Sequence, residues 1–341
     1  MKALLKAAPG PRAELVEVEV PKAGPGEVVC KVLRAAICGT DYHIYTWDDW
    51  AASRIDVPRI FGHEFCGEVV EVGPGVQQVA VGDYVTAETH IVCGHCAQCR
   101  QGQAHVCQEV AVIGVDVDGC FAEYVKVPAQ NLWHTDRALP PEVAAIQEPL
   151  GNAVHTVFAG DITGKTVAVI GCGPIGLFSI AICRIAGARA IFATDVNPYR
   201  LELARDLGAD QVLNAAEVDV AAEILAETKG HGVDVMLEMS GNPGAIREGF
   251  RVLRSGGRAS LLGIPSRPVE LDLTNDIIFK GAVVQGIFGR RMYETWHLTS
   301  SLLASGLDVS RVITHVLPMD RYTEAMELMG SGNCGKVILK P

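Results

Sequence analysis

The stretch Thr166-Val167-Ala168-Val169-Ile170-Gly171-Cys172-Gly173-Pro174-Ile175-Gly176 reads as a strand running into a helix. Its first five residues are β-branched apart from one alanine, and the six that follow fit the pattern G-x-G-x-x-G. Pro174 stands where the first turn of a helix tolerates proline. Gly171 permits the tight turn, Gly173 lets backbone approach a pyrophosphate resting on the helix N-terminus, and Gly176 allows close packing of helix on strand. Asp195 ends the next apolar strand, nineteen residues after Gly176, near the spacing of the acid that accepts hydrogen bonds from an adenosine ribose. A carboxylate there repels a 2′-phosphate, so it favours NAD over NADP. Arg200 suits a place over the adenine or beside the ribose, with a solvated helix charge as the alternative.

Downstream of this turn, strands alternate with helical segments: Ala190–Thr194, Gln211–Asn214, Val233–Met239 and Arg258–Gly263 are separated by helical patterns of about ten to fifteen residues. That alternation predicts a parallel sheet wound on both faces. Upstream, short β segments such as Glu14–Val20, Glu27–Ala35 and Gly67–Val72 lie between Gly/Pro clusters, with few helical periods before about residue 140. This half reads as an irregular, mostly antiparallel β domain. A length of 341 residues with 49% hydrophobic residues suits about two domains.

A net charge of −11 without any basic stripe argues against nucleic acid and anionic membrane surfaces as partners. The uncharged run Thr166–Cys183 is split by Gly171, Gly173, Pro174 and Gly176, which argues against a membrane helix. The apolar start at Met1–Leu5 is too short for a signal peptide. The expected location is the cytoplasm.

Eleven cysteines include four crowded between Cys93 and Cys107. Without a secretion signal, metal binding is the better reading than a disulfide framework. Cys93, Cys96, Cys99 and Cys107 can close a tetrahedral zinc shell with no open position, a structural site. An iron–sulfur cluster is the alternative, because its ligand runs overlap with this spacing. His95 and His105 read as loop residues.

A second constellation is more dispersed. Ile37-Cys38-Gly39-Thr40-Asp41-Tyr42-His43 offers a thiol, a hydroxyl and an imidazole on what reads as one loop. His63 and Glu64 follow Gly62, and adjacent strand residues reach one ion only if the chain bends there. Cys38, His63 and Glu64 would supply S, N and O donors for an open, catalytic type of zinc site. Glu148, in an apolar and Pro-bounded stretch, is a further ligand or a proton carrier close to the ion.

Cys38-Gly39-Thr40-Asp41, Gly62-His63-Glu64, the Cys93–Cys107 lobe, Glu148 and the Gly171–Gly176 turn follow one another as in a known family. The chain resembles the zinc-containing medium-chain dehydrogenases along essentially its whole length. The segments His43–Trp50, Gly151–Thr156, Thr194–Asn197, Glu238–Gly241, Leu262–Pro265 and Gly286–Arg290 narrow the resemblance to members that act on L-threonine.

The resemblance implies an α/β protein with an irregular β-rich GroES-like catalytic domain and a doubly wound Rossmann cofactor domain. The first would span 1–150 with 295–341 returning to it, and the second 151–294. It implies two zinc ions per subunit, with Cys38, His63 and Glu64 on the catalytic one and Glu148 as alternating ligand or relay group. Thr40 and His43 would carry the alcohol proton past the cofactor ribose to solvent. Ile175, Asp195, Arg200, Leu262, Gly263, Ile264, Ile287 and Phe288 would contact NAD. The implied reaction is oxidation of the C3 hydroxyl of L-threonine to 2-amino-3-oxobutanoate, by a homotetramer whose sheets pair edge to edge near Val283–Ile287. The rival readings are a polyol or secondary-alcohol dehydrogenase and a non-catalytic NAD-binding relative.

Overall fold

Residues 1–341 are all described by the computed structural model. They form two compact units, one of Met1–Pro149, Arg291–Trp296 and Ile313–Pro341, the other of Leu150–Arg290 and His297–Val312.

The second unit is built on six parallel strands in the order Gln211–Asn214, Ala190–Asp195, Thr166–Ile170, Val233–Glu238, Leu253–Leu261 and Val283–Gly286. Thr166–Ile170 is buried along its whole length, as a central strand covered on both faces must be. The chain leaves it in one direction along the sheet and later returns to its other side. A topological switch point therefore opens at its carboxyl end, where ligands bind in folds of this type. Pro174–Ile185 starts with proline in its first turn and buries eight residues. The helices Pro198–Asp206, Val220–Glu227 and Pro243–Val252 are each capped by a side chain, Asn197, Asp219 and Asn242 respectively, that accepts from backbone N–H groups otherwise left without partners.

The first unit is mainly antiparallel. Its largest sheet runs Leu132–His134, Tyr84–Ala87, Glu64–Val72, Glu27–Ala36, Lys336–Lys340 and Ile313–Pro318, with Tyr124–Pro128 paired to Glu27–Ala36 as the seventh strand. The last strand of the chain completes this sheet: Ile338 pairs with Ala36 and Leu339 with Ala35. Leu4, Val28, Phe61, Phe65, Phe121 and Val337 belong to one core cluster, and the rings of Phe61 and Phe121 meet edge to face at 5.1 Å.

Two helices, Gly39–Thr46 and Asp49–Arg54, occupy a region where the sequence predicted strands and loops. The Cys38–His43 motif is therefore not a loop but the start of a helix. Only Asp41 and Ile44 of Gly39–Thr46 are buried, so the apolar periodicity that marks a packed helix is missing.

Candidate functional site

Cys38 is the N-cap of Gly39–Thr46, and its own N–H donates to the carboxylate of Asp41 at 2.8 Å. Asp41 thereby closes a capping box. Its other oxygen has no hydrogen-bond partner and lies 3.5 Å from Nδ1 of His63, which also lacks one. Thr40 Oγ1 is 3.8 Å from Cys38 Sγ.

The bend that brings His63 and Glu64 together comes from Gly62, whose φ is +92°. A Cβ there would sit 2.5 Å from the Phe121 ring, so no larger residue fits. Glu64 then opens the long strand Glu64–Val72 with its side chain fully buried. Donor atoms of Cys38, His63 and Glu64 all lie within 4.8 Å of one another.

Burial works against a charged His63, yet Asp41 and Cys38 outweigh it and hold the imidazole well above its ordinary range. Burial, helped by the neighbouring Glu148, pushes the Glu64 carboxyl up to about 7 despite the opposing pull of Lys336. A thiolate, an imidazole and a carboxylate converging in such a place fit a divalent zinc with an open position. Glu148 sits near the start of the helix Gln147–Val157, and Thr89 Oγ1 donates to its Oε1 at 2.9 Å.

Two partners of the site carried no visible mark in the sequence. Lys336, at the start of the last strand, places its ammonium 2.6 and 2.5 Å from the two oxygens of Glu64. Thr89, beside Glu148, is the other. Asp41 stands within the Cys38–His43 motif, but Cys38 is not one of the residues that mark a capping box, so its role at the helix start was not legible.

The four cysteines of the lobe also converge within 4.8 Å. Sγ of Cys107 is 3.5 Å from that of Cys93 and 3.9 Å from that of Cys96. Zinc–sulfur bonds of about 2.3 Å in a tetrahedron require edges of roughly 3.8 Å, so the lobe fits the ion. Backbone N–H groups of Cys93 and Glu109 donate to Cys107 Sγ, and that of Cys96 to Cys93 Sγ, each at 3.4 Å. Such bonds orient and stabilise thiolates. All eleven cysteines are free of disulfides.

In the second unit a cavity of about 990 Å³ lies at the carboxyl ends of the parallel strands, lined by Gly171, Gly173, Asp195 and Arg200 among others. A Cβ on Gly176 would meet the carbonyl oxygen of Gly171 at 2.0 Å, whereas one on Gly173 would meet nothing within 4 Å. Gly176 thus serves packing, and Gly173 leaves backbone open to a ligand. Asp195 accepts from the N–H groups of Cys172 at 2.7 Å and Asn197 at 2.9 Å. Nε of Arg200 is buried without a partner, as expected of a cation set to meet a ligand. Arg247, Glu248 and Arg251 line the same cavity and were not singled out by the sequence.

Ile175, Leu262, Gly263, Ile264, Ile287 and Phe288 do not line that cavity. Ile175 lies in the first turn of Pro174–Ile185; the others follow the carboxyl ends of the strands Leu253–Leu261 and Val283–Gly286. Ile287 N–H donates to Leu261 at 2.9 Å, which ties these two segments together. Ile264 is 90% exposed and Phe288 50% exposed.

Comparison with known proteins agrees with this arrangement. The family described as "Zinc-binding dehydrogenase" matches residues 174–305, and "Alcohol dehydrogenase GroES-like domain" matches residues 24–137. An L-threonine 3-dehydrogenase of Caldanaerobacter subterraneus subsp. tengcongensis is 55% identical over 331 residues, 96% of this chain and 95% of that one. A zinc-binding dehydrogenase from Sinorhizobium meliloti bound to NADP superposes with a TM-score of 0.91 at 31% identity, covering 100% of this chain and 99% of the other. An Escherichia coli alcohol dehydrogenase complexed with NADH does so with the same score, identity and coverage. The chain belongs to the zinc-binding, medium-chain dehydrogenase family, on its L-threonine 3-dehydrogenase branch.

Proposed function

We propose that this chain oxidises the C3 hydroxyl of L-threonine to 2-amino-3-oxobutanoate with NAD as hydride acceptor. The observation that carries this is the unbroken set of donors and relay groups in a chain 55% identical to an L-threonine 3-dehydrogenase over nearly its full length. Cys38, His63 and Glu64 hold the catalytic zinc, with Glu148 beside them, and the Cys93, Cys96, Cys99 and Cys107 lobe holds the structural one. When bound, zinc supplies the positive charge that acidifies a secondary alcohol, and the nicotinamide takes the hydride.

The chain's own part is binding, positioning and proton movement. The Asp41 carboxylate, 3.5 Å from His63 Nδ1, is placed to orient that ring, as carboxylates do for metal-ligating imidazoles. Thr40 takes the substrate proton, and His43, whose side chain is 54% exposed, releases it to water. Glu148 serves as alternating ligand or second proton carrier. Trp50 is exposed and lies edge-on to His43 at 6.1 Å.

Gly171 makes the tight turn, Gly173 leaves room for the pyrophosphate, Asp195 accepts from the ribose and Arg200 lies against the adenosine end. Ile175, Leu262-Gly263-Ile264 and Ile287-Phe288 complete the cofactor contacts. Since neighbours in structure carry either NADP or NADH, the choice of NAD rests on Asp195, whose charge opposes a 2′-phosphate. The catalytic domain spans 1–150 with most of 295–341 and the cofactor domain 151–294, except that His297–Val312 packs with the cofactor unit. The strand Val283–Gly286 is one of the two edges of the parallel sheet, with Val283 58% and Val284 40% exposed. An exposed edge strand suits pairing with a second copy, and a homotetramer would be built from such pairs.

The test is initial rates of NADH formation with L-threonine, sorbitol and 2,3-butanediol side by side. L-Threonine is expected to give the highest kcat/KM. A higher value for either polyol would move the chain to the polyol dehydrogenases.

A further inference from the structure

His43 Nδ1 lies 2.5 Å from Oδ2 of Asp48. Asp48 is itself held: its other oxygen accepts from the N–H of Ala51 at 3.0 Å and caps the helix Asp49–Arg54. The turn between the two helices depends on Trp47, a left-handed residue with φ of 60° and ψ of 53°. The Lys6 ammonium lies 4.9 Å from the Trp47 ring centroid and donates to carbonyls of Gly10, Arg12 and Tyr45. The carboxylate is thus positioned by a built turn, and the Trp50 ring packs edge-on against the imidazole from the second helix. Asp48 is the charged group within ion-pair range of His43.

We infer that Asp48 is a positioning residue for the proton relay: it keeps the His43 proton on Nδ1, so that Nε2 is the atom that accepts and then releases the substrate proton. This rests on the reading of His43 as the outer end of the relay. The physical ground is that the hydrogen bond made by one ring nitrogen decides the state of the other. When Nε2 takes up its proton the ring becomes a cation, and the adjacent carboxylate stabilises it. When Nε2 gives that proton to water, the ring returns to the Nδ1–H form with Asp48 still in place. Protons balance, and nothing but solvent is consumed.

Asp48→Ser separates this role from the capping role. Serine is as good an N-cap as aspartate, but it is too short to reach His43. In the zinc-loaded, full-length enzyme, Asp48→Ser is expected to lower kcat roughly tenfold at neutral pH, with the KM values for L-threonine and NAD within about twofold of the parent enzyme. The same substitution made in a His43→Ala background is expected to cost nothing further. Selective 15N-histidine labelling is expected to show His43 protonated on Nδ1 in the parent protein and largely on Nε2 in Asp48→Ser. An Nε2–H tautomer in the parent protein would overturn the proposal, as would an equal loss of rate with and without His43. A His43→Ala enzyme that keeps its full rate would sink the relay reading itself. A slow His43→Ala beside a full-rate Asp48→Ser would sink only the Asp48 assignment.

Discussion

The ammonium of Lys336 is bound by both carboxylate oxygens of Glu64, at 2.6 and 2.5 Å, and both residues are buried. The pair links the final strand to the start of the strand Glu64–Val72, 272 residues apart in the chain. It gives a proposed metal ligand a cation supplied by the chain itself.

Breaking this pair is expected to cost more without metal than with it. Lys336→Met leaves the buried Glu64 without its ion-pair partner, and breaking a buried pair costs about 3–5 kcal/mol. In chelator-stripped protein the melting temperature is expected to fall on the order of 10 °C. In zinc-loaded protein the fall is expected to be clearly smaller, because the ion takes over neutralisation of Glu64. Equal falls in both states would mean that Glu64 does not face the metal.

The two donor sets predict separable metal losses. Cys38→Ser is expected to leave one zinc per subunit, keep the melting temperature within a few degrees and abolish turnover. Cys93→Ser is expected to lose the other zinc and to lower the melting temperature, because a closed four-thiolate site contributes folding energy directly. Elemental analysis of each variant after gel filtration checks both. Two zincs in either variant would contradict the ligand assignment.

Asp195→Asn tests the cofactor choice. The amide still accepts from one of the two backbone N–H groups that Asp195 now serves, so the turn is retained. Losing a hydrogen bond to a charged acceptor costs about 1.5–3 kcal/mol, which raises KM for NAD roughly tenfold or more. The same change removes the repulsion toward a 2′-phosphate, so KM for NADP is expected to fall. Steady-state kinetics with both cofactors decides it, and an unchanged NAD/NADP ratio would take Asp195 out of the ribose site.

Local spacing made much of the site legible. The Gly171–Gly176 turn and the Cys93–Cys107 lobe are short patterns whose chemistry constrains neighbouring residues directly, while Cys38, His63 and Glu64 are dispersed donors that suit one ion. The helix after Cys38 was not legible, because it buries only Asp41 and Ile44 and an N-cap cysteine is not a helix-start signal. Lys336 and Glu64 could not be paired from the sequence, since their contact depends on the last strand entering the sheet beside Glu27–Ala36. A lysine opening a strand otherwise looks like a solvated end. The sequence shows the bend at Gly62 only as a condition for His63 and Glu64 to meet; the Phe121 ring that leaves room for nothing larger than glycine there lies 59 residues further along the chain.

The most direct measurement uses L-threonine carrying deuterium at C3, incubated with the zinc-loaded enzyme and NAD. The NADH formed is expected to carry one deuterium on the nicotinamide ring, with a slower rate than unlabelled substrate wherever hydride transfer limits turnover. NADH without deuterium, or no NADH formation dependent on L-threonine, would contradict oxidation at C3.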